Sequence, residues 1–390
     1  MALALAAQGC GAPAQDEVVP IGLLLSYSGY LAANSTNSER ALQMAIEAAN
    51  DAGGVGGRRF RLLPRDTRTD VSKVAQPARE LVEAGAALFI GPETASLAVS
   101  LLPIWEEHTV ILPSFATSHA PFRKPDWWFL MGAGTARMAC EIEAQLRADG
   151  RRRPLVLMDP NGYNSLLAWE LTRTYGIRQM VLPANQGSNT STVQPIIAAD
   201  ADAYVLAALP SAASSLLFAL AAIGVLGDPR QWYLSPTLHT PALLQTIPKG
   251  ALDGARGVAA GTVTDAADFR AAFERRWHDA PLDDAYAFYD AGAVAALALV
   301  RAVARDGTVP QGSGLSKHVL AVTHVEGLQV HWNELPVGFA ELRQGREIEY
   351  VGLSGPMAFD TTGQTREANT KWWSIGGGAF FDIERRGDCH

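Results

Sequence analysis

Four short polar loops hold the groups best placed to bind or react, and each follows an apolar run of strand length. They are Tyr27-Ser28, Thr94-Ala95-Ser96, Phe115-Ala116-Thr117-Ser118 and Asp159-Pro160-Asn161-Gly162-Tyr163. The second and the fourth stand at or just before a run with helical spacing. The first N–H groups of a helix have no partners inside it, so they can hold an anion such as a carboxylate. The hydroxyls of Thr94 and Ser96 also fit plain N-capping, and one helix start can do both jobs. Tyr163 likewise fits either a ligand contact or a half-buried tyrosine with an apolar body and a wet tip.

Groups that would do covalent chemistry are harder to assemble. There is no Gly-x-Ser-x-Gly elbow, Walker A loop or His-Glu-x-x-His. Gly53-Gly54-Val55-Gly56-Gly57 ends a helical run, whereas a dinucleotide fingerprint follows a strand and opens a helix. His318, His324 and His331 are six and seven residues apart, which fits no metal site on one element, so they read as surface or loop histidines. Asp283-Asp284 and Glu106-Glu107 read as solvated helix ends rather than acid/base dyads. Nothing pairs a nucleophile with its base. The expectation is a protein that is not an enzyme and carries neither cofactor nor metal.

The elements that must position the four loops alternate. Strand-like runs cover residues 18–25, 60–63, 87–90, 110–112, 155–158, 180–182, 204–207 and 232–234. Between them, helical spacing covers residues 35–50, 71–84, a stretch ending at 107, and residues 163–175, 193–199 and 212–223. Short buried strands alternating with helices predict parallel sheets covered on both faces. Two consecutive sets predict two such sheets. Two long helices follow, over residues 269–277 and 285–305, and from Gln329 onward the chain reads as strands and loops.

The chain has 390 residues, beyond the size at which one core keeps growing. It is 48% hydrophobic and 18% charged, with a net charge of −8. Nucleic-acid binding needs a basic footprint, and the densest cluster, Arg151-Arg152-Arg153, reads as a solvated helix-to-strand loop. No uninterrupted apolar run is long enough to span a bilayer. Of the three cysteines, Cys10 ends an apolar, small-residue stretch like the end of a lipoprotein signal, although Gln8 and the missing basic start depart from that pattern. Cys140 and Cys389 could pair in an oxidising compartment, a choice that spacing alone leaves open.

Five segments together resemble the type I periplasmic solute-binding proteins of ABC importers, specifically the branched-chain amino-acid group. They are residues 21–29 (Ile-Gly-Leu-Leu-Leu-Ser-Tyr-Ser-Gly), residues 45–57 ending in Gly-Gly-Val-Gly-Gly, Ile90-Gly91-Pro92, Tyr289-Asp290-Ala291, and residues 352–363 with Gly-Leu-Ser-Gly-Pro and Phe-Asp-Thr-Thr-Gly. The resemblance implies an α/β fold of two Rossmann-like lobes joined by three crossover strands, with ligand in the cleft between them. One lobe would take residues 18–134 plus about 264–350, the other residues 135–263 plus about 351–390, after a signal remnant and tether over residues 1–17. The implied function is an extracytoplasmic solute-binding component of an ABC importer, periplasmic or held at the cell surface as a lipoprotein. Its partners would be a small ligand and a membrane permease, with no nucleic acid, and membrane contact only through a lipid on Cys10. The alternative is a ligand-sensing receptor of the same fold.

By the same resemblance, ligand contacts fall on Tyr27, Thr94, Ala95, Ser96, Ala116, Thr117, Tyr163, Leu209 and Thr237. Two positions depart from the family pattern. Thr237 stands where an acid holds the ligand ammonium, and Leu209-Pro210-Ser211 replaces an aromatic wall. A buried ammonium without a carboxylate is costly, so either Glu93 or Asp290 substitutes, or the ligand is a carboxylate lacking the amine.

Overall fold

The computed structural model describes residues 18–29, 31–113, 124–183, 190–262, 266–324, 326–365 and 368–389. The chain opens with β1 (Val18–Leu25), α1 (Ala32–Asp51), β2 (Arg59–Asp66), α2 (Ala75–Glu83), β3 (Phe89–Ile90), α3 (Ala95–Trp105), β4 (Val110–Leu112) and β5 (Trp128–Leu130). These strands form one parallel sheet in the order β2-β1-β3-β4-β5. The unbroken apolar run of β1 follows from its central place: Ile21, Leu23, Leu24 and Leu25 are all fully buried, as expected for a strand covered on both faces.

A second set follows: α4 (Thr135–Ala148), β6 (Pro154–Met158), α5 (Gly162–Tyr175), β7 (Arg178–Val181), α6 (Thr190–Ala198), β8 (Ala203–Ala207), α7 (Pro210–Ala222), β9 (Trp232–Leu234), α8 (Pro241–Thr246) and β10 (Arg256–Ala260). The chain then returns to the first lobe with α9 (Ala266–Trp277), α10 (Asp283–Asp306), α11 (Ser316–Val322), β11 (Leu328–His331), α12 (Leu335–Arg343), β12 (Ile348–Gly352) and β13 (Gly355–Pro356). It ends in the second lobe with β14 (Thr370–Gly376) and β15 (Ala379–Ile383). The second sheet runs β15-β14-β10-β9-β8-β6-β7, parallel from β7 to β10 and antiparallel beyond. A small third sheet joins β11, β12 and β13.

Two lobes result. In the first, α10 packs on α1 and α12 and shares one apolar cluster with β1. Helix α10 is apolar and long enough to cross a membrane, yet it is mostly buried inside the fold, as a core helix is. The second lobe is held by two clusters on the faces of its sheet. The chain passes between lobes three times. Met131 belongs to the first lobe's cluster and Ala133 to the second's. Ala259 belongs to the second and Ala266 to the first. The third passage differs from the expected one at about 351. Phe359 still packs on Phe129, with ring centroids 5.0 Å apart, and Gln364 bridges Leu130, so the return comes just before Thr370. The aromatic contact and the pairing of β12 with β13 hold this stretch in the first lobe.

Other differences are local. The C-terminal region expected to be only strands and loops contains α12, whose Leu335, Phe339 and Leu342 face the core. His318, expected at the surface, is 1% exposed and bonded between Arg301 and Asp306. Cys140 and Cys389, left undecided by spacing, form a disulfide that ties the C-terminus to α4. Cys10 and the leader lie outside the described residues.

Candidate functional site

Strand order reverses once in each sheet. In the first, β2 and β3 lie on opposite sides of β1, and in the second, β7 and β8 lie on opposite sides of β6. Open parallel sheets bind ligands beyond strand carboxyl ends at such switch points. The loops singled out from sequence flank them: Tyr27 follows β1, Thr94–Ser96 follow β3, Asp159–Tyr163 follow β6 and Leu209 follows β8.

Local chemistry fixes the first-lobe loops. Gly91 has φ of +90° and sits so close to Leu24 that a Cβ would lie 2.3 Å from its carbonyl oxygen. Only glycine tolerates both constraints. The turn delivers Glu93 into the interior, where its carboxylate accepts Ser26 N–H (3.0 Å), Ser26 Oγ–H (3.1 Å) and the Ser35 hydroxyl. Burial pushes the Glu93 carboxyl above its usual range, against the pull of those donors. Glu93 therefore ties the β1 loop to the β3 loop, and both its oxygens are engaged. Thr94 is the N-cap of α3, accepting Leu97 N–H at 3.4 Å, and its hydroxyl lies 3.2 Å from that of Ser96. Ala95 is buried in the first turn. Tyr27 is half-buried, its hydroxyl enclosed beside the Glu39 carboxylate. Burial and the neighbouring Glu39 carboxylate raise that phenol.

The second-lobe loops are stitched to one another. Asn161 caps α5 by accepting Asn164 N–H at 3.1 Å. The Thr237 hydroxyl donates toward Asn164 Oδ1 (3.1 Å) and the Ala208 carbonyl (2.8 Å) and lies 2.8 Å from Ser235 Oγ. Asp159 Oδ2 accepts Leu209 N–H (3.3 Å) and the Asn161 amide (3.1 Å). Tyr163 is 4% exposed, and burial together with the nearby Asp284 carboxylate raises its phenol.

The lobes meet across this crevice. The N-termini of α3 and α5 come together so closely that a Cβ on Gly162 would lie 3.6 Å from Ser96 Oγ. At the opposite wall stands the first turn of α10. Asp283 and Asp284, expected as a solvated helix end, are instead shielded by the second lobe. Asp283 meets His239 Nδ1 at 2.5 Å and Lys371 Nζ at 3.0 Å. Although burial opposes its charge, those two partners hold the Asp283 carboxyl below its usual range. Asp284 is 9% exposed.

Asp290 lies seven residues beyond Asp283 on α10. It is fully buried and accepts Tyr350 O–H (2.9 Å), Leu353 N–H (2.8 Å) and Ser354 N–H (2.8 Å). Gly352 leaves the room this clamp needs, since a Cβ there would sit 2.5 Å from the carboxylate. Burial pushes the Asp290 carboxyl up to about 6 despite those donors. Neither acid offered from sequence as an ammonium partner is thus placed for it: Glu93 joins two loops, and Asp290 clamps the β12–β13 turn to α10. Ala116 and Thr117 lie outside the described residues. Sequence reasoning missed the interlobe role of Asp283 and the stitching by Asn164. The adjacency of Asn164 to Tyr163 and the acidic start of the apolar α10 were the available signals.

The fold has counterparts among known proteins. A family model described as "Periplasmic binding protein" matches residues 18–373. An ABC transporter substrate-binding protein from Sphaerobacter thermophilus superposes with TM-score 0.74 at 19% identity, covering 96% of this chain and 99% of that one. The leucine binding protein LivK from Thermotoga maritima gives 0.72 at 15%, covering 94% and 98%. The branched-chain amino acid transporter substrate binding protein LivJ from Streptococcus pneumoniae, in complex with isoleucine, gives 0.71 at 15%, covering 94% and 99%. No curated protein matches the chain by sequence.

Proposed function

The chain belongs to the periplasmic binding protein family, and from that premise we propose that it is the extracytoplasmic solute-binding component of an ABC importer. It takes a small carboxylate-bearing molecule into the crevice between its lobes and transforms nothing. The observation that carries this reading is the meeting of the α3 and α5 N-termini at the two switch points. Their first-turn N–H groups and the Thr94 and Ser96 hydroxyls suit a carboxylate. Tyr163 supplies an aromatic wall from the second lobe, and Leu209 keeps the neighbouring wall apolar. Solved relatives of the same fold carry isoleucine and leucine in their names, which supports the same ligand chemistry here.

Three interlobe passages act as the hinge. Ligand held by one lobe draws the other over it, and the closed form presents its joined surface to a membrane permease. The Cys140–Cys389 disulfide supports an oxidising, extracytoplasmic setting. Thermal-shift screening against the L-amino acids and their deaminated carboxylic acids tests the proposal. A hit should raise the melting midpoint and, by small-angle scattering, shrink the radius of gyration. Turnover of a hit, or no hit in either set, overturns it.

A further inference from the structure

The densest basic run of the chain, Arg151-Arg152-Arg153, reads from sequence as a solvated loop, and ligand capture in the crevice makes no use of it. In the folded chain two further arginines join it. Strands β6 and β7 run parallel toward the crevice, so their amino ends lie at the opposite end of the second sheet. There, the loops that lead into β6, β7 and β8 enclose a cavity of about 850 Å³, open to solvent. Its basic lining is Arg147 from the last turn of α4, Arg151, Arg152, Arg153, and Arg178 from the start of β7. Its carboxylates are Glu143 and Asp200. Five guanidiniums against two carboxylates make a positive basin on a chain whose net charge is −8.

The guanidiniums are held in ways that leave them able to bind. Arg151 donates to the Asp202 carbonyl (3.1 Å), the Arg230 carbonyl (3.1 Å) and the Tyr233 hydroxyl (3.4 Å). Arg178 donates to the Ala199 carbonyl at 2.9 Å. These partners are neutral, so they orient both cations without cancelling their charge. Each guanidinium has five N–H donors, so both keep donors to spare. The Asp202 carboxylate accepts the backbone N–H groups of Arg152 (2.8 Å) and Arg153 (2.9 Å), which fixes the loop itself. Arg147 and Arg153 meet Glu143 (2.8 Å) and Asp200 (3.4 Å), but both arginines are exposed, and such pairs contribute little and exchange readily. The exposed Arg152 side chain is in no ion pair among the described residues. Capping of helix carboxyl ends explains Arg147, but it does not explain Arg152.

We propose that this basin is a second ligand site, independent of the crevice, that binds a phosphate-bearing polyanion. The planar fork of arginine matches phosphate oxygens in pairs. Several forks around one concavity suit an anion with several charged groups, since a single carboxylate would fill one fork and leave the others unmatched. Arg151 and Arg178 supply the fixed contacts, and Arg152 supplies the free one. Phosphate groups reach such a basin either on a soluble anion or on the headgroups of an anionic membrane, and the recognising chemistry is the same.

Two arms separate those sources. Isothermal titration with inorganic tripolyphosphate at about 0.1 M salt reads the soluble one, with citrate as the carboxylate control. Co-sedimentation with phosphatidylglycerol vesicles, against phosphatidylcholine vesicles, reads the membrane. Wild type should bind in at least one arm, and Arg152→Ser/Arg178→Ser should weaken that binding by at least about 10-fold. Should the double variant prove unstable by circular dichroism, Arg152→Ser alone carries the test, because that side chain is exposed and unpaired; it should weaken binding by at least about 5-fold. Tripolyphosphate binding alone assigns a soluble anion, and vesicle binding alone assigns a headgroup. Binding in neither arm overturns the inference, as does binding that the variants leave within about 2-fold of wild type. Citrate bound as tightly as tripolyphosphate overturns the assignment to phosphate.

Discussion

Asp283 and Asp290 lie on one helix and answer pH with opposite signs. The folded-state carboxyl of Asp290 is raised from 3.8 to about 6, so the folded protein holds that proton more tightly than the unfolded chain. Its contribution to stability is fully present below about 4 and is lost as pH rises through about 6. Asp283 is depressed by His239 and Lys371, so its contribution is present above its ordinary value and is lost as pH falls through the folded one. Asp290→Asn should remove the Asp290 slope. It should also set an amide NH₂ against donors now facing a carboxylate, costing about 1–3 kcal/mol. Urea unfolding at several pH values between 4 and 7.5 checks both expectations. If the variant keeps the wild-type slope over that window, Asp290 is not its source. Tyr163 was singled out by the family resemblance, which aligns it with the aromatic of the second lobe, and the structure buries it in the first turn of α5. The true partners of Glu93 were not legible, because Ser26 and Ser35 lie 67 and 58 residues away.

Among the elements, α3 and α10 decide the site. Helix α3 starts where it does because Thr94 caps it. Thr94→Ala should cost about 1 kcal/mol of stability, measured by chemical denaturation, and should weaken any carboxylate bound at that N-terminus. Unchanged stability would show that the cap is dispensable. Helix α10 was readable as long and apolar, yet its acidic start was misread as solvated. Periodicity reports which face of a helix is apolar, not what another lobe lays over its end. Lys371→Met should leave Asp283 with His239 alone. Because Lys371 is partly exposed, the cost should be modest, about 1–2 kcal/mol. Ligand affinity should fall with it, since the pair joins the lobes, and titration calorimetry separates that effect from simple loss of stability.

For the whole molecule, the disulfide is a long-range covalent constraint, joining residues 249 apart. Reducing it, or replacing both Cys140 and Cys389 by Ser, should lower stability by about 2–5 kcal/mol. Calorimetry with and without reductant reads this directly, and an unmoved melting curve would mean that packing alone holds the C-terminal hairpin. The sequence by itself determined the alternation of strands and helices, the parallel strands of the two main sheets and the loops at their ends, but not the antiparallel edge that β14 and β15 add to the second. Those features are written in local periodicity and in the turn residues that interrupt it. Tertiary structure alone decided where the last passage between lobes lies, that the two cysteines pair, and which carboxylates are engaged within a lobe and which face the crevice. A carboxylate's role depends on donors brought from distant segments and from the other lobe. Residue spacing along the chain carries no record of which segments folding brings together.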